Sequence, residues 1–93
     1  MTPAQIAARL SPGAEELLLD IEREQVTHAA GRWVRRLDGL TSICNNRTVR
    51  FVRDTWRLTD LVGGGRHVTL TPLGAQVLEV VKARHAARQN KPT

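Results

Sequence analysis

One stretch of this chain repeats polar and cationic side chains at helical spacing. At about 100° per residue, Asn46, Arg50, Arg53 and Arg57 fall on one side of a helix. Guanidinium groups pair with phosphate oxygens, and Arg and Asn can each form two hydrogen bonds with a base edge. The spacing therefore predicts a surface that binds a polyanion. An exposed helix also carries Arg for solubility alone, so a plain solvated face is the alternative.

The distribution of charge supports the same prediction. The 93 residues carry a formal net charge of +5. Residues 1–31 hold two Arg against five acids, whereas residues 32–93 hold twelve Lys and Arg against four acids. Because the positive excess lies in the same part of the chain as the Arg series, a polyanionic partner is expected.

A helix and a hairpin are expected to position these cations. Val49, Val52 and Trp56 fall opposite the Arg series, which predicts a helix over residues 45–58 with one face on a core. Three consecutive glycines then allow a tight reversal into the β-prone residues 67–70. The sequence thus predicts a helix followed by a hairpin.

The motifs in this region resemble those of a known family. They are Arg47-Thr48-Val49, then Leu61-Val62 with the glycines that follow, and Leu70-Thr71-Pro72-Leu73-Gly74. With them the chain resembles the winged helix-turn-helix superfamily of bacterial and phage regulators, MarR- and PadR-like proteins included. The resemblance covers residues 27–82. It implies an α+β, mostly helical fold with a two-stranded wing and a C-terminal helix.

The resemblance also implies a function and roles for individual residues. In that family a helix enters the major groove of DNA and the wing lies along the backbone or minor groove. Arg50 and Asn46 would meet base edges, and His67 at the wing tip could touch a phosphate. The remaining phosphate contacts would come from Arg47, Arg53, Arg57 and Arg66. The expected function is sequence-specific duplex DNA binding by a small transcriptional regulator or recombination accessory factor. The alternative is an adaptor or inhibitor whose basic helix binds an acidic protein surface.

The region before the Arg-bearing helix supports two interpretations. Helical spacing, which favours a helix over residues 29–43, is kept by Trp33, Leu37, Leu40 and Cys44. Asp38 and Gly39, however, form a dipeptide that is common in hairpins. A strand over residues 32–36 that ends at this turn is therefore the alternative. Residues 25–27 are expected to form a short strand that pairs with the wing.

Capping signals predict the remaining boundaries. The expected N-caps are Thr2, Ser11, Asn45 and Thr71. They predict a short helix or arm in residues 1–10, a helix over residues 12–24 and a last helix over residues 72–88. Residues 11–88 would then form one winged-helix domain, and residues 89–93 a flexible basic tail.

Enzymatic chemistry has no support in the sequence. His28, His67 and His85 lie far apart, without ligand spacing to Cys44, and the glycines lack the Lys of a phosphate-binding loop. No catalytic residue, metal, cofactor or small-molecule effector is expected. Because Cys44 is the one cysteine, no intrachain disulfide can form, and a buried role is expected. No apolar run approaches the roughly 20 residues of a membrane span, so no membrane partner and a cytoplasmic location are expected.

The last helix predicts that two chains pair. Its apolar arc is about 160° wide, whereas a core-facing stripe needs only about 100°. The arc contains Leu73, Val77, Leu78, Val80 and Val81. A homodimer through the C-terminal helix is therefore expected, with the two copies meeting successive major grooves. The alternative is that residues 6–10 fold back over this surplus and leave a monomer.

Overall fold

The computed structural model describes residues 2–89, so residues 90–93 of the predicted tail lie outside it. The helices in this range are α1 (Pro3–Ala7), α2 (Pro12–Glu22), α3 (Asn46–Arg50) and α4 (Pro72–Gln89). Each begins at the predicted N-cap. The side chains of the caps accept hydrogen bonds from backbone N–H groups, in the pairs Thr2 with Gln5, Ser11 with Ala14, Asn45 with Arg47, and Thr71 with Gly74.

Five strands form one antiparallel sheet in the order β3-β2-β1-β5-β4. They are β1 (Val26–Ala29), β2 (Arg32–Leu37), β3 (Leu40–Ile43), β4 (Thr59–Val62) and β5 (His67–Leu70). The sheet is joined at its centre, where Thr27 of β1 faces His67 of β5. The predicted short strand near residues 25–27 and the predicted hairpin with the three glycines at its turn are therefore both present, and they pair as expected.

The fold class that the sequence predicts, a mostly helical winged helix-turn-helix, is wrong. The chain instead builds a five-stranded antiparallel sheet with its helices on one side. The difference lies in residues 29–43, where β2 and β3 form a hairpin in place of the predicted helix. Without that helix there is no helix-turn-helix unit ahead of α3. The β4–β5 hairpin is consequently part of a larger sheet.

Turn chemistry explains why this region forms a hairpin. Asp38 (φ 51°) and Gly39 (φ 78°) both have positive φ, as the favoured two-residue hairpin turn requires. In β2, Trp33 is buried whereas Arg32 and Arg36 are exposed, which is the two-residue period of a strand. The alternative interpretation, a strand that ends at this turn, is confirmed. The helical spacing of the apolar residues in this region is coincidental.

The helix that carries the Arg series is shorter than predicted. A π-helical turn (Phe51–Thr55) follows α3, and the Trp56 N–H donates to the Phe51 carbonyl at 3.2 Å. The Leu58 N–H then donates to the Val52 carbonyl at 2.8 Å, and this hydrogen bond closes a wider turn that contains Arg57. Arg57 adopts the left-handed conformation (φ 53°). The helix thus ends with an Arg at a position where glycine is usual.

The helices cover one face of the sheet, which we call the inner face. Val26, Trp33 and Val68 point to this face and are buried, whereas no described side chain of the opposite, outer face is buried. Apolar side chains on the outer face include the exposed Ile43 and Val62. The core therefore forms a single layer between the sheet and the helices.

The short N-terminal helix α1 packs on α4. Ile6, Ala7 and Leu10 are buried there, and Leu78 of α4 is fully buried. The apolar surplus of the last helix is thus covered within the same chain, as the monomer alternative expects. The exposed apolar face on which the predicted homodimer depends is therefore absent from the C-terminal helix. The homodimer through this helix stays a prediction.

Candidate nucleic-acid interface

Three segments converge at one end of the sheet: the β1–β2 turn, the β4–β5 turn and the junction from β3 to α3. Arg32 begins β2 directly after the first turn. The His28 N–H donates to the carbonyl of Arg66, in the second turn, at 2.9 Å. The Cys44 N–H donates to the Trp33 carbonyl at 2.9 Å, which places the junction beside the start of β2. This end therefore gathers residues that are far apart in the sequence.

Arg32, Arg47 and Arg66 lie at this end, which we call the cationic end. All three are exposed, and none of them forms an ion pair with another part of residues 2–89. Neighbouring strands lie about 4.8 Å apart, which separates the backbones of Arg32 and Arg66 by roughly 10 Å. The major groove of DNA is about 12 Å wide, so this backbone separation is of the same order.

Acidic residues are absent from the segments that build the cationic end. Residues 26–37, 39–53 and 61–78 contain no Asp or Glu. Three acids in or next to the strands lie at the other end of the sheet, before β1, in the β2–β3 turn and at the start of β4: Glu24, Asp38 and Asp60. Asp20 of α2 contacts the sheet through Arg35. The sheet is therefore positive and free of acids at one end of its strands, whereas the other end has mixed charge, because the exposed Arg36 and Arg57 also lie there. This polarity depends on strand register and is not visible in the sequence.

All seven predicted contact residues are exposed: Asn46, Arg47, Arg50, Arg53, Arg57, Arg66 and His67. Arg47, Arg66 and His67 lie at or beside the cationic end, and Asn46 begins α3 next to it. Arg50 follows one helical turn later. Arg57, however, is placed elsewhere, because its carbonyl accepts the Thr71 hydroxyl at 2.9 Å near the start of β4. The predicted set is thus divided between the two ends of the sheet.

Arg53 is engaged by the acid that follows it. Its Nε and Nη2 atoms donate to the two carboxylate oxygens of Asp54, at 2.9 and 3.0 Å. These hydrogen bonds lower the pKa of Asp54 and raise the pKa of Arg53. The π turn also has more residues per turn than an α-helix, so Arg53 is rotated away from the stripe that 100° per residue predicts for Arg50. Arg53 therefore offers less free charge than the sequence suggests.

Arg32 is a further candidate contact residue that the sequence does not reveal, because the apolar spacing in its region favours a helix. The Asp38-Gly39 dipeptide could have indicated the strand that precedes it, and Ala30-Gly31, where both residues have positive φ, forms the hairpin turn next to Arg32 at the other end of that strand. Other cations are neutralised within the chain. Arg35 lies 3.0 Å from Asp20, and Lys82 donates to Glu22.

Chemistry other than polyanion binding has little support among the described residues. Among residues 2–89, no three His, Cys, Asp or Glu side chains are grouped so that they could hold a metal ion. Burial raises the pKa of the Cys44 thiol, which keeps it protonated and weakly reactive. A cleft of about 700 Å³ lies between α2, β1 and β5, and its lining includes Glu22 and Glu24. Its acidic residues make it unsuited to a polyanion.

Comparison with known proteins assigns this chain to no family. No family model, curated protein or solved structure matches the chain. The resemblance of its motifs to winged-helix regulators is therefore supported by no match. Within the described range, no helix combines the length and apolar character needed to cross a membrane.

Proposed function

We propose that this chain is a duplex DNA-binding protein that contacts the phosphate backbone with its cationic end. The observation that carries the proposal is the convergence of Arg32, Arg47 and Arg66 at an end of the sheet built from acid-free segments. Exposed guanidinium groups form charge-assisted hydrogen bonds with phosphates, and their binding releases counterions from DNA. Arg50 extends the same charge along α3.

The state of the aromatic residues favours a duplex over a single strand. Proteins that bind single strands usually stack bases on exposed aromatic rings. Here Trp33 is buried, and Phe51 and Trp56 are half-buried in an edge-to-face contact with ring centroids 6.0 Å apart. With these rings engaged in packing, the backbone of a duplex is the better match to the free arginines.

The β4–β5 turn suits close approach to DNA. Gly63, Gly64 and Gly65 have positive φ and no side chains, so Arg66 projects from a slender tip. Two-stranded β-ribbons fit the major groove. We propose that this hairpin approaches the groove or backbone while α3 lies beside it, where Asn46 and Arg50 can read base edges. A role as a transcriptional regulator or recombination accessory factor rests on that reading step.

The test is a salt titration of binding to duplex DNA, measured by fluorescence anisotropy between about 50 and about 200 mM salt. The wild-type protein is expected to bind random duplexes with an affinity that falls steeply as salt rises. The double variant Arg32→Ala/Arg66→Ala should lose about tenfold or more in affinity, and the slope of log affinity against log salt should fall by about two.

The control is Arg9→Ala/Arg23→Ala, which removes the same net charge from exposed positions outside the cationic end. Its affinity should stay close to that of the wild type. Equal losses in the two double variants would show that net charge, and not this end of the sheet, drives binding. Absence of any DNA binding by the wild type would favour the alternative function, binding to an acidic protein surface.

A further inference from the structure

β3 is an edge strand without the usual protection. All four of its residues are exposed, with Leu40 75% and Ile43 61% accessible. It contains no charged residue and no proline. Natural edge strands are commonly protected by charge, proline or a bulge, because their free N–H and C=O groups can recruit another strand. β3 is therefore suited to pairing.

The opposite edge strand, β4, is protected. The Thr71 N–H donates to the Leu58 carbonyl, and the alternation of an antiparallel ladder then directs the Leu61 N–H away from β5. This outward donor is already occupied by Asp60 Oδ1, at 2.8 Å. The carboxylate also places a negative charge on the edge. Of the two edges, β3 is the one available to another strand.

The free hydrogen-bonding groups of β3 can be assigned from its register. The Cys44 N–H donates to the Trp33 carbonyl, so Ser42 and Cys44 direct their backbone groups towards β2. Thr41 and Ile43 direct theirs outwards. Thr41 of one copy can face Ile43 of a second copy in antiparallel register. The outward N–H and C=O groups of these two residues in both copies then form four hydrogen bonds. Ser42 then lies on the twofold axis, and matching side chains share a face.

We infer that β3 pairs in this way with β3 of a second copy, which joins two sheets into one of ten strands. Charge complementarity favours a second copy as the partner. Antiparallel pairing sets the start of β3 in one copy, which follows Asp38, beside the end of β3 in the other copy, which leads to Arg47. Asp38 of each copy would thereby approach Arg47 of the other copy, at both ends of the pairing. A neutral strand such as β3 also avoids repulsion from its own copy.

Amide hydrogen exchange on the wild-type protein tests the inference without any substitution. In a single chain the Thr41 and Ile43 amides have no partner strand and should exchange fast, while the Ser42 and Cys44 amides are protected. As the protein concentration rises, exchange at Thr41 and Ile43 should slow by about tenfold or more, together with a doubling of the mass in light scattering. Fast exchange of both amides at all concentrations overturns the inference, as does a dimer in which they stay fast.

Two matched variants locate the interface. Ile43→Lys adds a charge to the β3 edge and should reduce the mass to one chain. Val62→Lys adds the same charge on the same face of the other edge strand, where the side chain is 45% exposed, and should leave the mass at two chains. Circular dichroism checks that both variants remain folded. A two-chain mass in Ile43→Lys, or its loss in both folded variants, contradicts pairing through β3.

Discussion

Thr71 and Gly74 show how two residues of a short motif join two parts of the fold. The Thr71 hydroxyl donates to the Arg57 carbonyl at 2.9 Å and accepts the Gly74 N–H at 3.0 Å, and the Thr71 N–H donates to the Leu58 carbonyl at 3.0 Å. Gly74 is buried against the Leu58 backbone. The motif therefore fastens the start of α4 to the end of the π turn, independently of any contact with DNA.

Gly74→Ala is expected to destabilise the protein by about 2–3 kcal/mol, because the added Cβ would overlap the Leu58 carbonyl oxygen and neither group is on a movable side chain. The midpoint of urea unfolding measures the loss. Gly13→Ala is the control, since its Cβ would meet Thr48 Oγ1 at an ordinary 3.9 Å and Ala favours the helix. Equal midpoints for the two variants would show that the start of α4 shifts freely.

Asp20 provides a prediction about pH. Burial raises its pKa above the ordinary value of 3.8, although Arg35 opposes the shift. Burial wins because Arg35 Nε and Asp20 Oδ2, though 3.0 Å apart, lack an aligned hydrogen bond. The folded state then holds the proton more tightly than the unfolded state, so stability increases as the pH falls through the folded pKa, and the gain is complete near 3.8.

Asp20→Asn should lack this gain. The stability of the wild type relative to the variant is therefore expected to increase as the pH falls from neutrality towards about 4. Urea midpoints of both proteins across this range measure the difference. A relative stability that decreases on acidification would mean that Arg35, and not burial, controls the carboxyl.

At the scale of elements, the end of the α3 segment is the most unusual feature. The chain passes from an α-turn to a π turn and leaves it through Arg57 in the left-handed conformation. For a residue with a side chain this conformation costs about 1–2 kcal/mol. The Thr71 hydroxyl bonded to the Arg57 carbonyl helps to hold it there.

Arg57→Gly is therefore expected to stabilise the fold by up to about 1 kcal/mol, after allowing for the greater chain entropy of glycine. DNA affinity should change little, because Arg57 lies away from the cationic end. Arg47→Gly is the counterpart: it removes an equal charge, weakens α3 and should reduce DNA affinity. Thermal unfolding and anisotropy measure the two effects. A larger loss of DNA affinity in Arg57→Gly than in Arg47→Gly would show that Arg57 is part of the DNA-binding surface.

At the scale of the whole molecule, the two proposals depend on one charge pattern. The cationic end is proposed to contact DNA, and Asp38 at the opposite end is proposed to approach Arg47 of a second copy. Arg47 would take part in both interactions. For this reason Arg32, in β2, and Arg66, next to β5, make the cleaner test of DNA binding, because both lie outside the strand that is proposed to pair.

The sequence by itself determined the features that depend on neighbours along the chain. The four N-caps, the β4–β5 hairpin and the start of α4 are set by side chains that bond within three residues, or by glycines that permit positive φ. The strand near residue 26 was also predictable. The caps and the hairpin turn depend only on residues that are close to one another in the sequence.

Only the tertiary structure decided the choice between helix and hairpin after residue 29, the covering of Leu78 by α1 and the clustering of Arg32, Arg47 and Arg66. The apolar residues at 33, 37, 40 and 44 fit either secondary structure, and pairing of β2 with β1 and β3 selected the strand. Charges gather at one end because register aligns three distant segments. The Asp38-Gly39 turn favours the hairpin locally, but the pairing of β1 with the distant β5 is a property of the folded chain that local spacing does not encode.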